Sequence, residues 1–415
     1  MPVVKLREES VLQQGFYVPQ FEVRIAGAGL PRDVVRDVTQ LTYKDNIKEI
    51  DSFEMTVNNW DAETSDYKYI GSETEETLNG STPESERYKL FEPSNRDVEI
   101  RMGYTSTLRV MMKGNITTME PSFPSGGAPT LTIRGLNALH QLRCKQYTTN
   151  WGAEVGRQYS RDSEIAKRIG ELSDNGKKRF PLPVEIDTSV IQDEPVIDYI
   201  VQQNQYDIDF LFSRARLRGY VVFIQESDQE VQGSRYRLYF GPPLGRVQGL
   251  RSVTFELEWG KSLVDIKPTL TTANQVKSVQ FRGWDRASRR AINIKVSVDD
   301  LRINFNRDLL ALLTKSGDCS EREEVVVNEP VFTEQQARRR AEAILLDRLR
   351  EMVKISGTTV GLPDLRAGQL VIIKGIGSRL SGTYMLTDTT HTIGDSGYTT
   401  RFNARLESSS TTGGN

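Results

Sequence analysis

Metal chemistry needs several His, Cys or carboxylate side chains converging at ligand spacing, and this chain carries two histidines and two cysteines. His140 and Cys144 stand at i and i+4, so one helix would bring them together, but they supply two ligands where a structural site uses about four. His391 lies between Thr390 and Thr392 in a strand-like run and is expected to hydrogen-bond at a barrel rim rather than act as a base. Asp207 and Asp209 are two residues apart, which turns them to different faces of a helix, and Asp207 is expected to cap that helix at its positive end. Gly260-Lys261-Ser262 ends like a phosphate loop, yet Phe255 stands where the first glycine should be. Gly27-Ala28-Gly29 and Gly375-Ile376-Gly377 lack a third glycine and a following helix, and read as turns. A G-x-S-x-G elbow is absent, and Gly233-Ser234-Arg235 falls in a hairpin. Arg338-Arg339-Arg340, with Glu342, Arg348 and Arg350, reads as a solvated helix face of mixed charge rather than a nucleic-acid contact. Trp60, Trp151, Trp259 and Trp284 are scattered and build no aromatic platform. The expectation is therefore no catalytic, cofactor-binding or metal residue and no cofactor. A distant carboxylate pair of the glycosidase kind stays open, because 56 acidic residues offer many such pairs.

The bulk numbers are those of a folded protein. The chain has 415 residues, 37% hydrophobic and 27% charged, with 54 basic against 56 acidic residues and a net charge of -2. That length holds two to four domains with substantial cores. The balance of charge favours neither nucleic acid nor a disordered acidic chain. The N-terminal segment lacks an apolar core of the secretory kind, and no apolar run approaches the ~18 residues of a membrane span. Cys144 and Cys319 are far apart and are expected to be reduced thiols. Cytoplasmic assembly, followed by export only within a particle, is the expected location.

The elements fall into a β, α+β, β order. Phe21, Val23 and Ile25 alternate, as do Phe53, Met55 and Val57, with Asp45 and Asn46 read as a turn-like break between two strands. Residues 61–90 are polar, rich in Ser, Thr and Glu, and read as a long exposed loop. Val98, Ile100 and Met102 resume the alternation, and 1–135 is expected to form a first β-barrel-like domain. A helix is expected from Leu136, Leu139 and Leu142, and a second one capped by Asp162 or Ser163 over Ile165, Ile169 and Leu172. Ile208, Leu211, Phe212 and Ala215 lie on one face of a third helix stopped by Gly219, followed by a strand from Tyr220 to Glu226 and a hairpin partner from Arg235 to Gly241. These make 136–245 an α+β segment. Residues 246–408 are expected to form a second barrel-like domain with one inserted helix, 333–353, whose Thr333 and Gln336 fit a capping box. Ala337, Ala341, Ile344, Leu345, Leu349 and Met352 line its inner face. Val276, Val279 and Phe281 alternate toward Trp284, which is expected to be core, and 409–415 to be a flexible tail.

Three stretches resemble one family. Gln203-Asn204-Gln205-Tyr206-Asp207-Ile208-Asp209-Phe210-Leu211, with Arg214-Ala215 and Gly219-Tyr220, resembles the signature of the late-control D family, although the family's usual acidic residue is Gln205 or Tyr206 here. Val279-Gln280-Phe281-Arg282-Gly283-Trp284-Asp285 resembles its glycine-tryptophan strand. Gly368, Gly382, Tyr384, His391, Gly397, Tyr398 and Arg405 fall at the places of its closing pattern. These are baseplate hub proteins of contractile phage tails and related injection systems, and the hub part of type VI secretion spike proteins is similar. The resemblance implies a fold that is α+β but mainly β, with two β-barrel-like tube domains flanking the α+β segment. It also implies a non-enzymatic homotrimer that joins a six-fold inner tube protein to a three-fold central spike protein, beside other baseplate subunits. The spike is expected to be a separate polypeptide. No specific nucleic-acid binding and no membrane insertion are implied. Ring closure is expected to cover strand edges at 250–258 and 398–406. A tail-associated cell-wall hydrolase and a carbohydrate-binding tail-tip module are the alternatives.

Overall fold

The computed structural model describes residues 3–5, 18–71, 87–93, 96–105, 107–153, 160–188, 191–231, 234–242, 254–285, 288–301, 307–314, 322–327 and 333–409. The first β unit contains β1 (Val3–Lys5), β2 (Pro19–Ile25), β3 (Ala28–Gly29), β4 (Val38–Asn46), β5 (Ser52–Asn58), the short pair β6 (Trp60–Asp61) and β7 (Asp66–Tyr67), β8 (Asp97–Tyr104), β9 (Thr107–Ser122) and β10 (Thr130–Asn137), together with the helix α1 (Arg32–Asp37). Alternation builds these strands: Leu41, Tyr43, Phe53, Met55, Val57, Ile100, Met102, Leu131 and Ile133 point into one core, and the residues between them face outward.

The middle segment contains β11 (Gln146–Trp151), α2 (Asp162–Glu171), β12 (Ser173–Asp174), β13 (Lys177–Lys178), β14 (Val184–Ile186), β15 (Ile200–Tyr206), α3 (Asp207–Arg218), β16 (Val221–Val231) and β17 (Ser234–Gly241). Its core gathers Leu139, Trp151, Ile165, Ile169, Phe180, Ile208, Leu211, Leu238 and Phe240. Gly219 ends α3 in the left-handed region at φ 68°, as expected of a helix stop. Asp162 is buried and holds α3 to α2, accepting hydrogen bonds from Arg214 and Arg218 at 2.5 Å each.

The second β unit contains β18 (Thr254–Glu258), β19 (Leu263–Leu270), β20 (Ser278–Asp285), β21 (Arg290–Ser297), α4 (Arg307–Thr314), β22 (Glu323–Val326), α5 (Glu334–Arg350), β23 (Val353–Val360), β24 (Leu370–Lys374), β25 (Gly382–Gly394) and β26 (Gly397–Ser409). Thr333 caps α5 by accepting from the Gln336 amide at 3.2 Å. Ala337, Ala341, Leu345 and Leu349 turn its apolar stripe into the core shared with Val279, Phe281 and Ile355.

The protein is mainly β. The two strand units expected are present, and both contribute to one 14-stranded sheet in the order β1-β18-β24-β25-β4-β5-β10-β9-β8-β2-β3, from which β26, β23 and β19 continue on the other side of β25. No strand closes either unit into a barrel among the described residues. The physical reason lies in strand length. β25 is 13 residues long, and its β24 neighbour spans only residues 382–385, so the rest of that edge is open to β4.

The two units repeat one plan. Taken across the sheet, the first reads β2-β8-β9-β10-β5-β4 and the second β18-β24-β25-β26-β23-β19, and the two series also match in chain order. Pairing is antiparallel throughout both, except that β2 is antiparallel to β8 while β18 is parallel to β24. One detail ties the copies together. Phe53 of β5 faces Gly135 of β10, and at the equivalent place Gly357 of β23 faces Phe402 of β26. The same ring is thus supplied from opposite strands.

Several sequence expectations are corrected. Trp284 is 55% exposed, because the strand period of two places it with Gln280 and Arg282 on the outward face of β20, opposite Val279 and Phe281. Asp207 is no cap: its buried carboxylate accepts from Gln202 at 2.6 Å and lies 3.6 Å from Arg179. Neither Asp162 nor Ser163 caps α2; Glu164 reaches back to the Arg161 amide at 3.1 Å instead. The 136–143 helix is a 3-10 turn over Ala138–Arg143. Part of the 61–90 loop is built into the core: Tyr69 is fully buried and donates to Asp37 at 2.6 Å. Residues 72–86 of that loop and the 410–415 tail lie outside the described residues. The described parts of the anticipated open edges are paired, since β18 sits between β1 and β24, and β26 between β25 and β23; residues 250–253 lie outside the described residues.

Candidate functional site

The seam between the units is the most elaborated polar site in the described chain. Asp388 stands opposite Asn46, Thr390 opposite Lys44, His391 opposite Tyr43 and Gly394 opposite Gln40. The strand period of two puts Tyr43, Asp45, Thr389 and His391 on the inner face. Residues 361–369, between β23 and β24, fold over them and supply Leu365, Arg366 and Ala367.

His391 is fully buried and hydrogen-bonded through both ring nitrogens. Nε2 lies 3.0 Å from the Leu365 carbonyl, which can only accept, so the ring proton sits on Nε2. Nδ1 then accepts from the Tyr398 hydroxyl at 3.0 Å or that of Thr400 at 3.1 Å. Burial, with the Arg366 charge acting the same way, holds its pKa far below the ordinary histidine value. It is a neutral joint at the centre of the seam rather than at a rim.

Asp45, read from sequence as a turn residue, accepts from the Ala367 amide at 3.1 Å and from Thr389, with Arg366 Nε at 3.4 Å. The Arg366 guanidinium lies 4.6 Å over the Tyr43 ring and donates to the Met111 carbonyl at 2.5 Å. Burial opposes its charge, but Tyr43, Asp45 and Asp51 together keep its pKa above the ordinary value. Asp51 accepts from Asn137 at 2.7 Å, Tyr43 at 3.3 Å and the Asn46 amide at 3.2 Å. Its pKa is pushed up to about 7, by burial first and the neighbouring Asp45 charge second. Tyr104 closes the seam by donating to the Gly361 carbonyl at 2.9 Å.

This network makes a rigid joint. Its acids and base are spent on one another inside the protein. Sequence reasoning missed Asp45, Asp51 and Arg366. The available signal was parity: Asp45 continues the inward series Leu41, Tyr43.

The opposite face of the sheet is polar and rich in Ser and Thr. Two shallow hollows mark it at equivalent places in the repeat. One, of ≈ 390 Å³, is lined by Lys44, Ser52, Glu54, Thr118 and Arg134. The other, of ≈ 350 Å³, is lined by Asp265, Ser356, Thr358, Thr390 and Arg401. Because β4 and β25 pair, this face runs unbroken from one unit to the other.

The other residues singled out from sequence do not converge. Asp209 pairs with Arg143 at 2.7 Å, away from Asp207. Arg338 pairs with Glu342 at 3.2 Å, and Arg340 donates to the Leu217 carbonyl at the end of α3. Gly260 is a turn residue at φ 82°. The Cys144 thiol approaches only the His140 carbonyl, at 3.7 Å. Among the described residues no group of three or more His, Cys, Asp or Glu is placed to hold a metal ion, and no helix is long and apolar enough to cross a membrane.

The model of the family described as Alg8 N-terminal domain matches residues 18–395. Among solved structures, the chain is similar to the 43 kDa tail protein of prophage MuSo2 from Shewanella oneidensis, at 12% identity and a TM-score of 0.61, over 94% of this chain and 98% of that one. A tail protein from Neisseria meningitidis MC58 gives 13% identity and a TM-score of 0.59, over 94% and 97%. The E. coli c3393 protein, a component of the type VI secretion system described as similar to the T4 bacteriophage tail proteins gp27 and gp5, gives 12% identity and a TM-score of 0.52, over 94% and 77%. At these identities the likeness is one of fold. No curated protein matches the chain.

Proposed function

We propose, for a chain that belongs to the Alg8 N-terminal domain family, a structural role in the baseplate of a contractile tail or related injection system. It is a hub: a ring of three chains that joins a six-fold inner tube to a three-fold central spike, with other baseplate subunits around it. The observation that carries this is the repeat. Two units of one strand order lie edge to edge in a single chain, so three chains would present six similar units. The division of labour we infer is 1–135 and 246–408 as the two ring units and 136–245 as the segment facing neighbours. The continuous polar face with its two equivalent hollows suits a wetted channel wall. The tail and secretion proteins that share the fold support the reading.

The role is non-enzymatic, and assembly takes place in the cytoplasm before the chain becomes part of a particle. Quantitative mass spectrometry of purified particles tests it. Three copies of this chain for every six inner-tube subunits of one tube layer are expected. Particles that lack the chain, or clearing of a cell-wall zymogram by the purified protein, would overturn it.

A further inference from the structure

We propose that the open edge of β19 in one copy of this chain adds, antiparallel, to the outer half of β9 in a second copy, repeating between chains the seam that joins the two units within one. The inference rests on the hub reading above and names the surface through which the chains meet.

The repeat makes β4 the counterpart of β19, and β25 the counterpart of β9. Within the chain, β4 occupies the part of β25 that extends past β24. The matching part of β9 is open. β8 pairs with β9 only as far as Asn115, and the Ile116 amide reaches the Arg96 carbonyl at 3.4 Å. Residues 117–122 have β10 on one side and no strand on the other among the described residues. β19 likewise has β23 as its one ladder partner among the described residues, apart from a single bridge between Leu263 and Trp259 at its start.

Exposure follows the same logic. Leu41, Tyr43, His391 and Ile393 are buried by the internal seam. On the open edges, Val264 is 62% and Leu270 38% exposed, and Glu120, Pro121 and Ser122 are also exposed. Strand edges with apolar side chains are templates for a further strand.

The repeat also fixes the register. Tyr43 opposite His391 becomes Ile266 opposite Met119, and Lys44 opposite Thr390 becomes Lys267 opposite Thr118. The inner-face pair is then apolar, which suits a joint formed after folding. Pro121 and Pro268 each remove one amide donor, so the remaining groups form the ladder and other edge partners are disfavoured. The contact is head-to-tail, and such contacts close into rings when the rotation permits.

Cysteine cross-linking tests it. In a Cys144→Ser, Cys319→Ser background, Thr118→Cys and Lys267→Cys replace exposed outward residues, so folding is preserved. Opposed positions place Cβ atoms about 4.5–5.5 Å apart, close to disulfide reach. Within one chain the two sites lie on opposite edges of the sheet, so a bond between them joins two chains. Diamide oxidation of the double variant is expected to give a disulfide-linked ladder ending at three chains. Each single variant, and the off-register pair Thr118→Cys with Leu270→Cys, should give at least tenfold less. An assembled sample without that bond, or with equal yield from the off-register pair, would overturn the inference and leave the hub role standing. A chain that stays monomeric with tube and spike proteins present would overturn both.

Discussion

Tyr43 and His391 stand opposite each other across the strand pair that joins the two β units, with ring centroids 6.0 Å apart. The histidine fixes the 361–369 segment through Leu365 and the end of β26 through Tyr398 and Thr400. His391→Ala strands these partners and opens a cavity. Together these effects are expected to cost about 3 kcal/mol or more. Denaturant unfolding measures it; a loss under ~0.5 kcal/mol, the range of ordinary surface changes, would contradict the role given to the seam.

The seam also sets a pH dependence with two opposing parts. Asp51 holds its proton more tightly when folded, so its contribution favours the fold at low pH and is lost as pH rises from about 4 to about 7. His391 refuses a proton when folded, so its contribution is present above about 6.5 and is lost as pH falls. Asp51→Asn removes the first part. Relative to the parent, the variant is expected to melt higher at pH 8 than at pH 5. Melting temperatures that differ from the parent by the same amount at both pH values would contradict the assignment.

The two Phe–Gly pairs differ in how they take an added methyl group. A Cβ on Gly135 would stand 2.4 Å from the Asn115 carbonyl oxygen as well as against Phe53, and backbone cannot move aside cheaply. A Cβ on Gly357 meets chiefly the far end of the Phe402 ring, at 2.8 Å. Gly135→Ala is expected to cost about 1–3 kcal/mol and Gly357→Ala less. Thermal melts of the two variants side by side decide it, and the reverse order would be wrong for this geometry.

Leu345 is fully buried under β20 and β21, whereas Trp284 is mostly exposed. Leu345→Ala is expected to destabilise by about 2–5 kcal/mol. Trp284→Ala should stay within ~0.5 kcal/mol. A larger loss at Trp284 in the isolated protein would show that the ring is packed.

What was legible in the sequence was local. Strand alternation at Phe53, Met55 and Val57, the Gly219 stop and the α5 stripe each follow from a few neighbouring residues. What was not legible depends on residues far apart in the chain. Asp45 looks like a turn former until β25, some 340 residues later, covers it. Trp284 is a different case: counting by twos from Val279 and Phe281 puts it on the outward face with Gln280 and Arg282, so parity was there to be read. The mainly β class with two barrel-like strand series was legible because each half has its own alternation; that the two series share one sheet was not. The shared sheet arises from the length of β25, which matters only once β24 proves short.

Native mass spectrometry of the purified protein, alone and mixed with its spike protein, tests the central claim most directly. The account predicts a species of three times the 47.0 kDa chain mass in at least one sample, seen by electron microscopy as a ring with a central opening. A stable monomer in both samples, with no affinity for tube or spike, would contradict it.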